Sequence, residues 1–197
     1  MAKVKKHRLM SYYWFFSKIY EIGAKQMYQD CQPFIKKGSK ILDLGCGSGI
    51  AAKNFQDFFK AKVIGTDIKD HRLVPIPFKI IDGESLPFQN STFDIVLIAY
   101  VLHHARDPEK LLREAKRVSK KIIIFEDIPE GIFSKLRCKL HQITFFGGER
   151  KHFHFKTRKE WRELFDRLGL KIIAQKWVST KLDWFDPGKR ILFVLEK

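Results

Sequence analysis

The chain has 197 residues, of which 45% are hydrophobic and 30% charged, and this predicts one globular domain with a core of its own. Its three cysteines, Cys31, Cys46 and Cys138, are far apart and form no CxxC pair. This pattern excludes a disulfide framework and a cysteine zinc site and predicts a reducing, cytoplasmic location. The net charge of +16 favours acidic partners such as RNA, an anionic metabolite or a membrane surface; the alternative is a solvated basic surface, because the lysines and arginines are spread along the whole chain.

The N-terminal segment, residues 1–38, is basic and then aromatic. Apolar and aromatic residues over 9–35 have helical spacing, which predicts one or two helices that cap the rest of the domain. Lys18 and Glu21 interrupt the apolar run that begins LMSYYWFF, and no small-residue cleavage site follows. We therefore predict no secretory signal, and we expect no membrane span.

From residue 39 onwards, strand patterns alternate with helix patterns. Strands are predicted over 39–44, 61–67, 77–82, 93–102, 120–127, 170–178 and 190–196. Helices are predicted over 49–60, over 107–118 with Asp107 as N-cap, and over 157–169 with a capping box of Thr157 and Glu160. The alternation predicts a parallel α/β sheet, and the last two strands, with no helix between them, predict an antiparallel hairpin at its edge.

The stretch ILDLGCGSG, residues 41–49, places three glycines between a strand and a helix. Such a loop presents backbone N–H groups at a helix N-terminus and favours a bound cofactor; a purely structural turn is the alternative. No Gly-Lys-Ser/Thr follows, which excludes a P-loop. The sixth position counted from Gly45 is Ile50, which does not fit the dinucleotide fingerprint.

Acidic residues end the next two predicted strands. Asp67 follows Gly45 by 22 positions, a range at which a carboxylate accepts hydrogen bonds from a ribose diol. Taken alone, an aspartate at a strand end is more often a cap or a turn residue. Asp82 and Gly83 resemble a hairpin turn, but no returning strand follows, so we expect a βα loop with Asp82 facing the crevice. Together the three strand ends predict a ligand site at the carboxyl edge of the sheet.

The segments ILDLGCGSG, VIGTD, DGESLPFQNSTFDIVLIAYVLHH and DPEKLLREAKRV resemble the successive motifs of class I S-adenosylmethionine-dependent methyltransferases, of the ubiquinone/menaquinone-biosynthesis-like type. The resemblance is strong over 39–125 and looser over 152–197. It implies a Rossmann-like α/β fold with a seven-stranded, mostly parallel sheet, an antiparallel last strand and helices on both faces. It also implies that S-adenosylmethionine binds at the following positions: Asp43, Gly45, Cys46, Gly47, Gly49, Asp67, Ile68, Asp82, Gly83 and Ala99.

The resemblance divides this cofactor among the strand ends. The glycine loop with Asp43 would hold the methionine part, Asp67 the ribose hydroxyls, Asp82 with Gly83 the adenine, and the backbone near Ala99 would line the methionine end. In one place the chain departs from the family. Family members usually have a Gly-Gly turn between the fourth helix and the fifth strand, whereas RVSKKIIIF, residues 117–125, has none, so we expect a shorter connection there.

Methyl transfer requires mainly that the acceptor is positioned in a dry pocket, and a general base is needed only where the acceptor carries a proton. His104, and with it His103, follows the fourth strand and is the candidate base; the alternative is that both histidines cap a helix or pack locally. His141, His152 and His154 raise the question of a metal. No carboxylate or cysteine accompanies them at ligand-like spacing, so we expect no metal site.

The acceptor is predicted to be a small molecule, apolar with an anionic group. Residues 99–102 read AYVL, where nucleic-acid amino-methylating enzymes carry Asn/Asp-Pro-Pro-Tyr/Phe. An RNA methyltransferase, or an RNA-binding protein on this fold, remains the alternative that the charge favours. Residues 126–157 lie between the cofactor core, 39–125, and the C-terminal helix and hairpin, 158–197. Together with the N-terminal aromatic helix they are expected to form a mobile lid hinged at Gly147–Gly148, or else a fixed helical buttress. The sequence does not indicate the oligomeric state.

Overall fold

The fold is known from a computed structural model that describes residues 17–144, 153–179, 183 and 188–197. Seven strands form one sheet in the order β3-β2-β1-β4-β5-β7-β6. They are β1 (Lys40–Leu44), β2 (Lys62–Asp67), β3 (Phe78–Ile80), β4 (Phe93–Ala99), β5 (Ser119–Asp127), β6 (Lys171–Val178) and β7 (Arg190–Glu196). Strands β1 to β5 pair in parallel, and β7 pairs antiparallel with both β5 and β6. The predicted α/β sheet with an antiparallel last strand and an edge hairpin is confirmed.

In the described part of the chain, five α-helices cover the sheet: α1 (Ser17–Cys31), α2 (Ile50–Phe59), α3 (Pro108–Val118), α4 (Ile132–Thr144) and α5 (Arg158–Arg167). Residues of α1 and α2, such as Met27 and Phe55, join one buried cluster with one face of the sheet. Residues of α3 and α5, such as Leu112 and Trp161, join a second cluster with the other face. Neighbouring strand residues point to opposite faces, so the core has two layers of helices around the sheet. Among the described residues, no helix is long and apolar enough to cross a bilayer.

The predicted helix boundaries rest on side-chain caps that the structure contains. Asp107 accepts a hydrogen bond from the Lys110 backbone N–H at 2.9 Å, ahead of α3. Before α5, the Thr157 hydroxyl and the Glu160 carboxylate satisfy each other's backbone N–H groups, which is the predicted capping box. The N-terminal helix predicted over 9–35 corresponds to α1 and a 3₁₀ turn at Gln32–Phe34, and its residues 9–16 lie outside the described part of the chain.

Three local predictions can be compared with the structure directly. The fourth strand was expected to reach residue 102, but it ends at Ala99 because Tyr100 adopts a left-handed φ of 59°. The βα loop expected after Asp82 is wrong, since residues 81–92, all of them described, form no helix. The short connection expected before the fifth strand is confirmed. Helix α3 ends at Val118, and β5 begins at the next residue, Ser119.

Candidate functional site

The carboxyl ends of β1, β2, β3 and β4 meet at one edge of the sheet, where the strand order reverses between β1 and β4; we call this edge the crevice. The loop from β1 to α2, residues 45–49, is the glycine loop. Gly45, Gly47 and Gly49 all have positive φ, at 76°, 50° and 76°. A β-carbon added at Gly45 would lie 2.5 Å from a Val101 methyl group. Glycine is therefore required by the backbone conformation, and at Gly45 also by close packing.

Asp67, the last residue of β2, holds the glycine loop in place through a hydrogen bond. Its Oδ2 accepts the Gly47 backbone N–H at 2.9 Å, and its Oδ1 accepts the Ile68 N–H at 2.7 Å. Burial raises the pKa of this carboxyl above its usual value, against the lowering effect of these hydrogen bonds. Each carboxylate oxygen keeps a second lone pair, so Asp67 can still accept hydrogen bonds from a diol.

Asp43 is a buried side chain of the crevice that could accept a further hydrogen bond. It lies in β1, its side chain is 2% exposed, and its Oδ2 has no hydrogen-bond partner among the residues that the structure describes. Burial first, and then the negative charge of Asp67, raise the pKa of its carboxyl to about 7, although a hydrogen bond from the Ala52 backbone opposes this. A buried acceptor without a partner is costly, and a bound cation or donor would satisfy it.

The far end of the crevice combines a carboxylate with apolar surface. Both Asp82 oxygens accept hydrogen bonds at 2.8 Å from the next turn, from the backbone of Glu84 and Ser85 and from the Ser85 hydroxyl, and this lowers the pKa of Asp82 to about 2. Ile68 is 56% exposed beside Gly83, whose added β-carbon would lie 3.1 Å from the Ile68 methyl group. An exposed isoleucine next to a bare backbone is suited to one face of a planar ring.

The remaining predicted cofactor residues take different positions. Ala99 ends β4, which pairs with β1 in the register Leu44↔Ile98, so it lies beside the glycine loop. Cys46 belongs to the loop, but its buried thiol packs against β2, where an added β-carbon on Gly65 would lie 2.7 Å from Sγ. Only the Cys46 backbone is therefore available to a ligand.

Histidines gather at the end of β4, on the side of β5. His103 is 1% exposed, and its Nδ1 lies 2.6 Å from Oε2 of Glu126, which is fully buried. The second Glu126 oxygen accepts the Leu102 backbone N–H at 2.8 Å. Desolvation opposes a charge on His103, but the Glu126 carboxylate raises its pKa above the usual value. His104 and His141 bring their Nε2 atoms to 3.2 Å from each other.

We call His103, His104 and His141 the histidine cluster. Burial, together with the neighbouring His103 and His141, lowers the pKa of His104 to about 2. Phe155 stacks on His103 with ring centroids 4.6 Å apart, and Phe153 lies edge-on to His104. His154 donates its backbone N–H to the His103 carbonyl, and His152 lies outside the described residues.

Sequence reasoning did not identify Glu126 as a site residue or pair His141 with His103 and His104. The signal for Glu126 was present, because it lies near the carboxyl end of a buried strand, as Asp67 does in β2. His141 could not be found in this way, since it is 37 positions from His104 and reaches it only through the packing of α4.

Helix α4 has a fixed inner face and an apolar outer face. On the inner side Arg137 pairs with Asp127 at 2.7 Å, and the buried Ser134 hydroxyl accepts the Lys189 backbone N–H at 2.9 Å. The outer side carries an exposed apolar stripe of Ile132, Phe133, Leu136, Leu140 and Ile143. Helical spacing places Lys135 and Lys139 along one edge of the stripe.

An open depression of about 590 Å³ lies at the opposite edge of the sheet, lined by residues at the amino ends of strands such as Lys40, Lys62 and Phe93. Ligands of open α/β sheets bind at the carboxyl ends. We therefore place the functional site in the crevice, where the Asp43 carboxylate lies, and not in this depression.

The fold and the crevice define an α/β protein with a candidate ligand site at the switch point of its sheet. Comparison with known proteins gives the family. A family model described as a methyltransferase domain matches residues 19–175. An uncharacterised protein of Methanocaldococcus jannaschii is 32% identical over 170 residues, which are 84% of this chain and 81% of that one. The ubiquinone/menaquinone biosynthesis C-methyltransferase of Ralstonia pickettii is 31% identical over 117 residues, and the match spans 51% of this chain and about half of that enzyme, 48%.

Solved structures agree on the fold. The methyltransferase in a complex with the Haloferax volcanii Trm112 methyltransferase activator superposes with a TM-score of 0.72 at 16% identity, covering 99% of this chain and 94% of that one. A Bacillus halodurans methyltransferase gives a TM-score of 0.68 at 17% identity, over 88% and 97% of the two chains. The chain therefore belongs to the methyltransferase-domain family and is a class I S-adenosylmethionine-dependent methyltransferase.

Proposed function

We propose that the crevice binds S-adenosylmethionine through the residues that the motifs indicate. Asp43 and the glycine loop would hold the methionine part, Asp67 the ribose hydroxyls, and Asp82, Gly83 and Ile68 the adenine. The observation that carries this proposal is the buried, unpartnered Oδ2 of Asp43 beside the positive-φ glycines. The cofactor's ammonium group carries a positive charge and N–H donors, so it can pair with this carboxylate oxygen.

When bound, the cofactor supplies a methyl group on a positively charged sulfur, which is already activated for displacement. The chain has then to orient the acceptor and keep water out. Ala99 and the left-handed Tyr100 mark the end of β4, where the methionine end of the cofactor would lie. A non-glycine residue held at positive φ is costly, and such residues collect at functional sites.

We propose that His103 and His104 contact the acceptor. The low pKa of His104 makes it a weak proton acceptor, which argues against its predicted action as a general base. His103 is oriented through Nδ1 by Glu126, so Nε2 is the ring nitrogen that is available to a ligand. The pair is thus better suited to binding and orienting the acceptor than to removing a proton through His104.

The acceptor that we propose is a small molecule, largely apolar and carrying negative charge. The support is chemical: phenylalanine rings line the histidines, and lysines flank the apolar stripe of α4. Incubation of the protein with methyl-labelled cofactor and a fractionated metabolite extract tests this. We expect label in an organic-extractable compound, and label that enters only macromolecules would contradict it.

An RNA acceptor is the second candidate, and the net charge of +16 favours it. Binding to phosphates falls steeply with salt, by orders of magnitude between about 50 and 200 mM. The same labelling assay, repeated with an RNA fraction, separates the two candidates. A reaction that requires RNA and collapses over this salt range would replace the small-molecule proposal.

For α4 we propose the fixed buttress rather than the mobile lid. The contacts of Arg137 with Asp127 and of Ser134 with Lys189 hold its inner face against the ends of β5 and β7. We also propose a single domain in a reducing cytoplasm, which the buried positions of the three cysteine thiols support. Hydrogen exchange along 132–144 with and without cofactor tests the buttress: strong protection in both states supports it, and protection gained only on binding would restore the lid.

A further inference from the structure

The histidine cluster is more than the acceptor-binding pair of the proposed function. One ligand atom from each of His103, His104 and His141 lies within 4.8 Å of the corresponding atoms of the other two. Two of the residues are consecutive in a 3₁₀ turn, and the third comes from α4, so two separate elements converge on one point. We propose that these three histidines form a binding site for a divalent transition metal ion such as Zn²⁺.

The distances suit such an ion. Zinc binds imidazole nitrogen at about 2.0–2.1 Å, and in a tetrahedral site this separates neighbouring nitrogens by about 3.3–3.4 Å. The Nε2 atoms of His104 and His141 are 3.2 Å apart. His103 has to approach them by no more than about 1.5 Å, the difference between the 4.8 Å limit and the tetrahedral edge.

The second observation is the unused nitrogen of His103. This side chain is 1% exposed, and within the described part of the chain its Nε2 has no hydrogen-bond partner. Its Nδ1 is held at 2.6 Å by the fully buried Glu126. Metal-binding histidines characteristically use the second ring nitrogen in this way, bonded to a carboxylate that fixes the ring and strengthens the ligand.

Charge balance points in the same direction. Glu126 is a buried carboxylate whose described partners are one backbone N–H and one histidine ring. Asp127, next to it, is compensated by Arg137 and Arg190, whereas no arginine or lysine pairs with Glu126 among the described residues. A divalent cation held by His103 would keep this buried carboxylate compensated, with the metal supplying the positive charge that a protonated His103 otherwise supplies. Three histidine ligands would leave a fourth position for water or an acceptor atom, as in catalytic zinc sites.

Cobalt titration of the full chain, after treatment with a chelator, tests the proposal. Tetrahedral Co²⁺ gives visible d–d absorption, and we expect one equivalent to bind, to raise the melting temperature and to be displaced by Zn²⁺. His141→Ala should abolish the spectrum and the stabilisation, and Glu126→Gln should weaken binding by about 10–100-fold. His71→Ala, which removes a histidine outside the cluster, should bind Co²⁺ as the wild type does.

Several outcomes would overturn the proposal. They are a wild type that takes up no Co²⁺, a His141→Ala variant that binds it unchanged, or equal loss in His71→Ala. The melting temperature without metal shows whether each variant is folded, and if His141→Ala is not, Glu126→Gln decides alone. Binding of S-adenosylmethionine to the metal-free protein is measured separately, so that failure of the metal site and failure of the cofactor assignment can be told apart.

Discussion

Replacing Asp43 by asparagine should change how the stability of the cofactor-free protein depends on pH. The pKa of this buried carboxyl rises from 3.8 to about 7 on folding, roughly three units. At about 1.4 kcal/mol per unit, the ionised group costs the folded state about 4 kcal/mol above pH 7. Because the native state holds the proton longer than the unfolded chain, stability is lost as the pH rises from about 4 to about 7.

An asparagine side chain has nearly the same shape as that of aspartate and carries no charge, so this loss should disappear in the variant. Urea denaturation of both proteins at intervals between pH 4 and pH 8 gives the free energies of unfolding. Other groups titrate in both proteins, so the informative quantity is the difference between them. It should move in favour of Asp43→Asn by up to about 4 kcal/mol over this range and level off above pH 7.

The affinity for the cofactor should change with pH in the opposite direction to the stability. Since S-adenosylmethionine carries positive charge, the affinity of the wild type should rise with pH between about 5 and 7, by up to about tenfold per unit, and that of Asp43→Asn should be weaker and nearly flat. Calorimetric titration measures both. Parallel pH profiles for the two proteins, in stability and in affinity, would refute the assignment of Asp43 as a carboxylate that the cofactor completes.

Three further predictions concern the loop, the ribose site and a helix cap. Asp67→Ala should weaken cofactor binding by roughly 1–3 kcal/mol, while His104→Ala leaves it nearly intact; equal losses in a binding titration would contradict the separation of cofactor and acceptor sides. Gly45→Ala should cost roughly 2–5 kcal/mol of stability, because left-handed strain adds to a methyl contact at 2.5 Å. Gly38→Ala, with a similar φ of 81° and nothing within 4 Å of its added β-carbon, should cost only about 1–2 kcal/mol. Thr157→Ala should cost about 1 kcal/mol by removing the cap of α5, and an unchanged denaturation midpoint would exclude that role.

The succession of strands and helices along the chain could be predicted because short-range signals agree with one another. Buried strand patterns alternated with capped helices, and the caps at Asp107 and Thr157 lie where the sequence placed them. The break after Ala99 was missed, because the apolar run AYVL continues the strand pattern while the backbone turns at Tyr100. Hydrophobic pattern carries no information about a single residue held at positive φ by tertiary contacts.

The cofactor side of the site was easier to predict than the acceptor side. Asp67 and Asp82 were proposed from strand ends and spacing, which are local features of the chain, and Asp43 from the family resemblance. The histidine cluster depends on the path of α4, which brings His141 back to His104 across 37 positions. The prediction that no metal binds rests on the spacing of His141, His152 and His154 along the chain. The metal site proposed above combines residues of two elements that are distant in sequence.

Calorimetric titration of the wild-type chain with S-adenosylmethionine tests the central claim most directly, with a thermal melt of the same samples as an independent reading. We expect one site per chain, and an increase in unfolding free energy of about 2.7 kcal/mol at a cofactor concentration 100 times the dissociation constant. Binding of the demethylated product S-adenosylhomocysteine is expected as well. The account would be contradicted if neither compound gave binding heat or stabilisation at a concentration about 100 times a micromolar dissociation constant.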